Sequence, residues 1–156
     1  MFDQDELLTA SVYGQVRNLP KKIAEMRSSR DFNMRRIVPP YMGRSGQLEW
    51  PALNFAMFCL AGDLVAAEFK IPLAAKIACR VMDAHLASPE VEQWAVVTTE
   101  NGNTSTLPVN GLDLSTGFIS GARLSFAMIV DLRTYDDRVE RAWDEFERAQ
   151  DDDDAN

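Results

Sequence analysis

The apolar positions at the start of the chain recur at helical spacing. They form a single stripe of four aliphatic residues: Leu8, Val12, Val16 and Leu19. Their separations of four, four and three residues are typical of one face of an α-helix. The pattern therefore predicts a helix from about Asp5 to Asn18.

A second, shorter helix is predicted from Pro20 to about Ser29. Proline is well tolerated in the first turn of a helix, so Pro20 can restart the chain after the first element. Ile23 and Met26 would point inward, while Lys21, Lys22 and Arg27 would lie outside. Two helices joined by a tight turn, with cations on the second, are typical of a helix-turn-helix.

The helical period is lost between Asp31 and Trp50. Pro39 and Pro40 exclude helix there, and the Gly43–Gly46 spacing allows a tight reversal between two short extended segments. This pattern predicts a β-wing.

Two further helices follow, each opened by a proline. Pro51 precedes a strongly apolar segment in which the inward stripe consists of Leu53, Met57, Leu60 and Leu64. Pro72 precedes a second stripe of Leu73, Ile77 and Val81. The first of these helices is predicted to be central to the core.

The composition changes after Ser88-Pro89, where alternating residues predict strands. Trp94–Thr99 leads into Asn101-Gly102, a dipeptide suited to a type I′ turn, and Thr104–Val109 would return as the second strand. A longer strand is predicted to end near Leu132, which gives three antiparallel strands. Thr134 can then cap a terminal helix.

The elements together predict an α+β protein. We expect a winged helix-turn-helix head at residues 1–88, a β-rich module with the C-terminal helix at 89–150, and an acidic disordered tail at 151–156. At 156 residues the chain is long enough for one domain with a core, or for a small head with an appendage.

Charge is distributed unevenly along the chain. The formal net charge is -8, yet eight basic side chains between Arg17 and Arg44 face only Glu25 and Asp31. A local cationic surface on an acidic protein favours a polyanionic partner such as double-stranded DNA, although a solvated helix face would show the same composition.

The order of these elements resembles the winged helix-turn-helix head of the MerR-type regulators and of the related phage excisionase-like proteins. The resemblance covers roughly Leu7 to Leu86 and includes the charge placement. It implies that Lys21, Lys22 and Arg27 belong to the helix facing the DNA groove. It also implies that Arg44 lies at the wing tip, and that Arg35 and Arg36 lie at the base of the wing.

A second helix-turn-helix register is possible over Val65–Ala78. Its candidate recognition helix offers only Lys76, Arg80 and His85 as cations or base-reading groups. The first register has more charge for phosphates and an adjacent wing, so it is favoured.

The terminal helix carries an apolar stripe that is a candidate oligomerisation surface. The stripe consists of Tyr135, Val139, Trp143 and Phe146. It would either cover the chain's own sheet or join two subunits, as in the dimers that bind palindromic operators. The Asp151–Asp154 tail would keep the chain soluble or compete with DNA for the basic head.

The sequence contains no recognisable catalytic motif. His85 is the only histidine, and Cys59 and Cys79 are set too far from other ligands for the usual metal spacing. We therefore expect a non-enzymatic protein without a metal or cofactor. Two cysteines in apolar helical patterns indicate reduced thiols and a cytoplasmic location, and no membrane span is expected.

The sequence predicts a sequence-specific DNA-binding transcriptional regulator that acts as a dimer. An alternative stays open, in which the chain is a non-enzymatic interaction protein, for example a small phage component, whose C-terminal module docks a protein partner.

Overall fold

A computed structural model of the chain describes residues 7–9, 41–42, 48–110 and 112–154. These residues form an α+β structure with three helices and two antiparallel sheets. The strands are β1 (Leu7–Thr9), β2 (Tyr41–Met42), β3 (Leu48–Pro51), β4 (Gln93–Thr99), β5 (Thr104–Pro108), β6 (Phe118–Ile119) and β7 (Ala122–Asp131). The helices are α1 (Ala52–Ala66), α2 (Ile71–Ala87) and α3 (Leu132–Asp154), with a short 3-10 helix at Leu114–Thr116.

The first sheet has the strand order β1-β3-β2, with both pairs antiparallel. The predicted helix over Asp5–Asn18 is wrong at Leu7–Thr9, because these residues pair with Pro51, Trp50 and Glu49. A strand pairing across forty or more residues leaves no signal in local spacing. The rest of that helix, and the helix at Pro20–Ser29, fall outside the described residues.

The helix α1 is buried on all sides. Its buried residues include Asn54 and Gly62 as well as its large apolar side chains, among them Leu53, Phe55 and Phe58. A helix that is hydrophobic all round belongs inside a core, and the predicted central position of this helix is confirmed. The helix begins at Ala52, since Pro51 is the last residue of β3.

The turn between α1 and α2 closes the end of α1 with two capping bonds. The Phe69 N–H donates to the Leu64 carbonyl at 2.9 Å, and the Glu68 N–H donates to the Val65 carbonyl at 3.0 Å. This pair of bonds defines a Schellman motif, which requires a left-handed residue after the helix. Glu68 occupies that position with a φ of 67°.

The helix α2 begins at Ile71, next to the predicted start at Pro72, but has a different inward face. Ile77 and Val81 are buried as predicted, whereas Leu73 is 48% exposed. The prediction for Leu73 is wrong because the face that is buried in this turn contains Ala74 and Ala75. Alanines give a weak periodic signal, although their small size favours close packing.

The predicted hairpin of β4 and β5 is confirmed, from Trp94 opposite Pro108 to Thr98 opposite Thr104. Its turn differs from the prediction, because Gly102 has a positive φ of 75° and Asn101 does not. A type I′ turn needs a positive φ at both positions. The Gly102 N–H donates to the Thr99 carbonyl at 2.8 Å, which fits a three-residue loop that ends on a left-handed glycine.

The second sheet has four strands, in the order β5-β4-β7-β6, where the sequence predicted three. The additional strand β6 joins β7 through Ser120 and Gly121, which have φ values of 49° and 81°. Two consecutive positive φ angles make this connection a type I′ hairpin turn. Such a short strand offers too little alternation to be recognised from sequence.

The helix α3 follows β7 without a loop. The Asp131 carboxylate accepts the Arg133 N–H at 3.1 Å, so Asp131 caps the helix in place of the predicted Thr134. The helix continues to Asp154. Asp151–Asp154 therefore form its last turn, whereas the sequence predicted an acidic disordered tail at residues 151–156.

The described chain divides into two compact units. One unit contains β1 to β3, α1, α2 up to Cys79, and α3 from Thr134 onward. The other unit is Arg80–Arg133 and contains the sheet of β4 to β7. The sequence assigned the terminal helix to the β-rich module, whereas the compact units group it with α1. Where the chain would separate into independently folding domains stays a prediction.

Replacing Glu68 with glycine is expected to stabilise the protein relative to Glu68→Ala. Both variants remove the carboxylate, but only glycine adopts a left-handed φ without steric cost, and we expect a difference of about 1 kcal/mol. Urea unfolding of the two variants gives this difference directly. An alanine variant as stable as the glycine variant would contradict the left-handed geometry at this turn.

Candidate functional site

The six residues predicted to contact DNA lie outside the described residues. They are Lys21, Lys22, Arg27, Arg35, Arg36 and Arg44. Their assignment to a groove-facing helix and a wing stays a prediction.

The strands that flank Arg44 in the sequence are described. Met42 at the end of β2 pairs with Leu48 at the start of β3, and Tyr41 pairs with Glu49. The chain therefore reverses direction between residues 42 and 48, and Arg44 belongs to this connection by its position in the sequence. A hairpin was predicted at this place, and the antiparallel pairing of its two strands is confirmed.

The second helix-turn-helix register corresponds to α1, the capped turn and α2. Of its candidate base-reading residues, Lys76 is exposed and Arg80 is half-buried. His85 is buried, and its Nδ1 lies 3.3 Å from the Val91 carbonyl oxygen. A buried histidine cannot reach a base edge, so His85 does not fit the role that the second register would give it.

The apolar stripe of α3 begins in the interior of the chain. Tyr135 and Val139 are buried, and Trp143 is half-buried. For Phe146 the structure describes only the helical backbone. Tyr135 and Val139 are thus buried within a single copy of the chain. A role of the stripe between subunits stays a prediction.

A polar cluster connects α1 to α3 around Asp63. The Arg138 Nη1 atom donates to both carboxylate oxygens of Asp63, at 3.0 Å and 2.9 Å. The Tyr135 hydroxyl donates to Asp63 Oδ2 at 2.9 Å. The guanidinium carbon of Arg138 also lies 5.3 Å from the centre of the Tyr135 ring, within the range of a cation–π contact.

Electrostatics in this cluster keep Tyr135 neutral and Arg138 charged. Burial, the charge of Asp63 and the hydrogen bond to Asp63 all raise the pKa of Tyr135. Partial burial works against the charge of Arg138, but the hydrogen bond and the charge of Asp63 outweigh it, so the pKa of Arg138 is raised. Burial also raises the pKa of the nearby Cys59 thiol to about 12.

These properties make the cluster a structural anchor. Asp63 already accepts three hydrogen bonds, and Cys59 stays protonated near neutral pH, where a thiol is a poor nucleophile. Asp63 itself is the signal for this cluster in the sequence, because it lies within the strongly apolar segment that follows Pro51. A carboxylate inside a strongly apolar helix needs a charged or hydrogen-bonding partner.

A second polar cluster lies at the junction of β7 and α3. The Gln93 side chain donates to Asp131 at 2.8 Å, and Arg133 Nε donates to the same carboxylate at 2.9 Å. The hydrogen bonds from Arg133 hold the pKa of Asp131 below its ordinary value, although burial works in the opposite direction. Glu92 lies 3.6 Å from Arg133, and both side chains are about half-exposed. The cluster fixes the start of α3.

No described part of the chain brings three or more histidine, cysteine, aspartate or glutamate side chains together as a metal site. Within the same ranges, none of the helices combines the length and the apolar character needed to cross a bilayer.

Removal of the Asp63 carboxylate is expected to destabilise the fold. Asp63→Ala leaves Arg138 half-buried without its partner and should lower the free energy of unfolding by about 1–2 kcal/mol. Asp63→Asn keeps an acceptor for Tyr135 and should lose about half as much.

Asp83→Ala is the matched control, because Asp83 is an exposed helical aspartate and its removal should change stability by less than about 0.5 kcal/mol. Urea unfolding measures all three variants. Equal stabilities of Asp63→Ala and Asp83→Ala would show that the cluster does not anchor α3.

Comparison of the chain with protein-family models, with curated proteins and with solved structures gave no match.

Proposed function

We propose that the chain is a sequence-specific DNA-binding protein of the winged-helix type that regulates transcription. The observation that carries the proposal is the basic segment from Arg17 to Arg44, where eight cations meet two carboxylates in a chain of net charge -8. A segment of this kind attracts phosphate while the acidic remainder of the chain repels it.

In this proposal the hairpin of β2 and β3 is the wing. Its strands pair antiparallel on either side of a five-residue connection, residues 43–47, that contains Arg44. A cation in a hairpin connection can reach the phosphate backbone or the minor groove beside a helix that occupies the major groove. Arg44 would add affinity more than base preference.

Sequence preference would come from the segment before the hairpin. Lys21, Lys22 and Arg27 lie at the positions that the resemblance assigns to the groove-facing helix. Lysine and arginine bind guanine edges in the major groove, and they also neutralise phosphates. The same segment could therefore supply both the general affinity and the discrimination between sequences.

Replacing Lys21 and Lys22 with alanine is expected to weaken binding to DNA of any sequence. If each lysine neutralises one phosphate, the double variant should reduce the slope of log affinity against log salt concentration by about 1.8. Fluorescence anisotropy with a labelled duplex of mixed sequence, measured at several salt concentrations, gives both quantities.

Lys76→Ala provides the matched control, because Lys76 is an exposed lysine of α2 outside the basic segment. Its affinity and salt slope should equal those of the unmodified chain. If the unmodified chain shows no salt-dependent affinity for DNA, or if the double variant behaves like Lys76→Ala, the proposed function is wrong.

A further inference from the structure

Among the residues that the structure describes, one edge of the strand β7 is paired over only part of its length. In the neighbouring hairpin, the Val109 N–H donates to the Gln93 carbonyl at 3.1 Å, so the backbone of Gln93 points toward β5. Backbone groups alternate in direction along an antiparallel strand, and Trp94 and Val96 must therefore bond to β7.

The same alternation fixes the direction of each backbone group in β7. Val130 and Met128 are the partners of Trp94 and Val96, so their N–H and C=O groups point toward β4. Ala127 and Ile129 consequently point away from β4. The strand β6 pairs with Ala122 and Arg123, and the Leu124 N–H donates to the Gly117 carbonyl at 2.7 Å. Within the described residues no strand covers Ala127 and Ile129.

Large apolar side chains are exposed along this edge on both faces of the sheet. Ile129 is 55% exposed and Phe126 is 44% exposed. Their positions differ by an odd number of residues, which places them on opposite faces. A globular partner lying on one face could cover only one of them, whereas an added strand brings side chains to both faces.

The opposite edge of the sheet is protected against strand addition. Trp94 bonds to β7, so the backbone of its other partner, Pro108, points outward from β5. Proline has no N–H to donate, and proline on an edge strand prevents pairing with another chain. The part of the β7 edge that no described strand covers has no such protection, because residues 125–130 contain neither proline nor a charged side chain.

We propose that β7 pairs antiparallel with β7 of a second copy of the chain. Ala127 lies opposite Ile129 of the partner subunit, and Met128 lies on the two-fold axis. This register uses the outward N–H and C=O groups of both Ala127 and Ile129 in each copy. It also places the small alanine side chain opposite the large isoleucine.

A second copy fits this edge because the edge is complementary to itself. In this register Ser125 lies opposite Asp131 of the partner subunit, so the paired segment places no like charges opposite each other. The uncharged centre is also where two chains of net charge -8 can approach with little repulsion. The inference goes beyond the proposed function and does not depend on DNA binding.

Sedimentation of the full chain without DNA tests the proposal. The unmodified chain should form a dimer that dissociates reversibly on dilution. Ile129→Lys should raise the dissociation constant at least about 100-fold, since it removes two isoleucines from the interface and introduces two cations. Leu73→Lys is the matched control, because Leu73 is 48% exposed on α2, and this variant should dimerise like the unmodified chain.

A cysteine at position 128 tests the register independently of any loss of stability. On the two-fold axis, Met128 of each copy belongs to a pair without hydrogen bonds, where Cα atoms are about 4.5 Å apart and a disulfide can form. Met128→Cys should therefore give a covalent dimer on mild oxidation. Ser105→Cys on the protected strand β5, and the unmodified chain, should not.

An unmodified chain that sediments as a monomer at every concentration would overturn the proposal. A dimer that survives Ile129→Lys unchanged, or that fails to cross-link through Met128→Cys, would also overturn it. Such a dimer would point to another surface, such as the stripe of α3. If Ile129→Lys lowers the thermal midpoint more than Leu73→Lys does, loss of the dimer would also follow from loss of folding. The cross-linking of Met128→Cys then decides whether β7 forms the interface.

Discussion

Burial of α1 on every side from Ala52 to Gly62 is the constraint on which the first compact unit depends. Leu53, Phe55 and Phe58 are each at most 1% exposed, and burying such a side chain contributes about 1.5–3 kcal/mol. A single helix cannot bury its whole circumference by itself, so the chain must supply cover on every side. This need explains why strands from distant parts of the sequence meet next to α1, and why a terminal helix belongs to the same unit.

Asp63 lies near the end of α1, where the helix becomes partly exposed. The carboxylate is about one-third exposed, and its two oxygens are taken by Tyr135 and Arg138 of α3. A charge at this depth is tolerated only when it is paired and hydrogen-bonded. The cluster therefore gives the amphipathic helix α3 a fixed position along α1, which apolar contact alone would specify less sharply.

Local patterns predicted the elements whose stability is local, and missed those that depend on distant partners. The β4–β5 hairpin and the central helix were found because alternation and helical spacing are strong there. The strand at Leu7–Thr9 was missed because its partner lies forty or more residues away. For the candidate DNA-binding site, the sequence provides the charges, and the structure adds the pairing of the strands beside Arg44. The open edge of β7 could not be predicted from the sequence, because only the sheet order shows that Ile129 has a neighbouring described strand on one side alone.

Native-state hydrogen exchange of α1 tests most directly whether this helix is the core around which the first unit is built. Buried amides of Phe55, Phe58 and Leu60 should exchange only through global unfolding, so their opening free energies should equal the free energy of unfolding from urea titration. Opening free energies well below that value, with the sheet of β4 to β7 better protected than α1, would contradict the account.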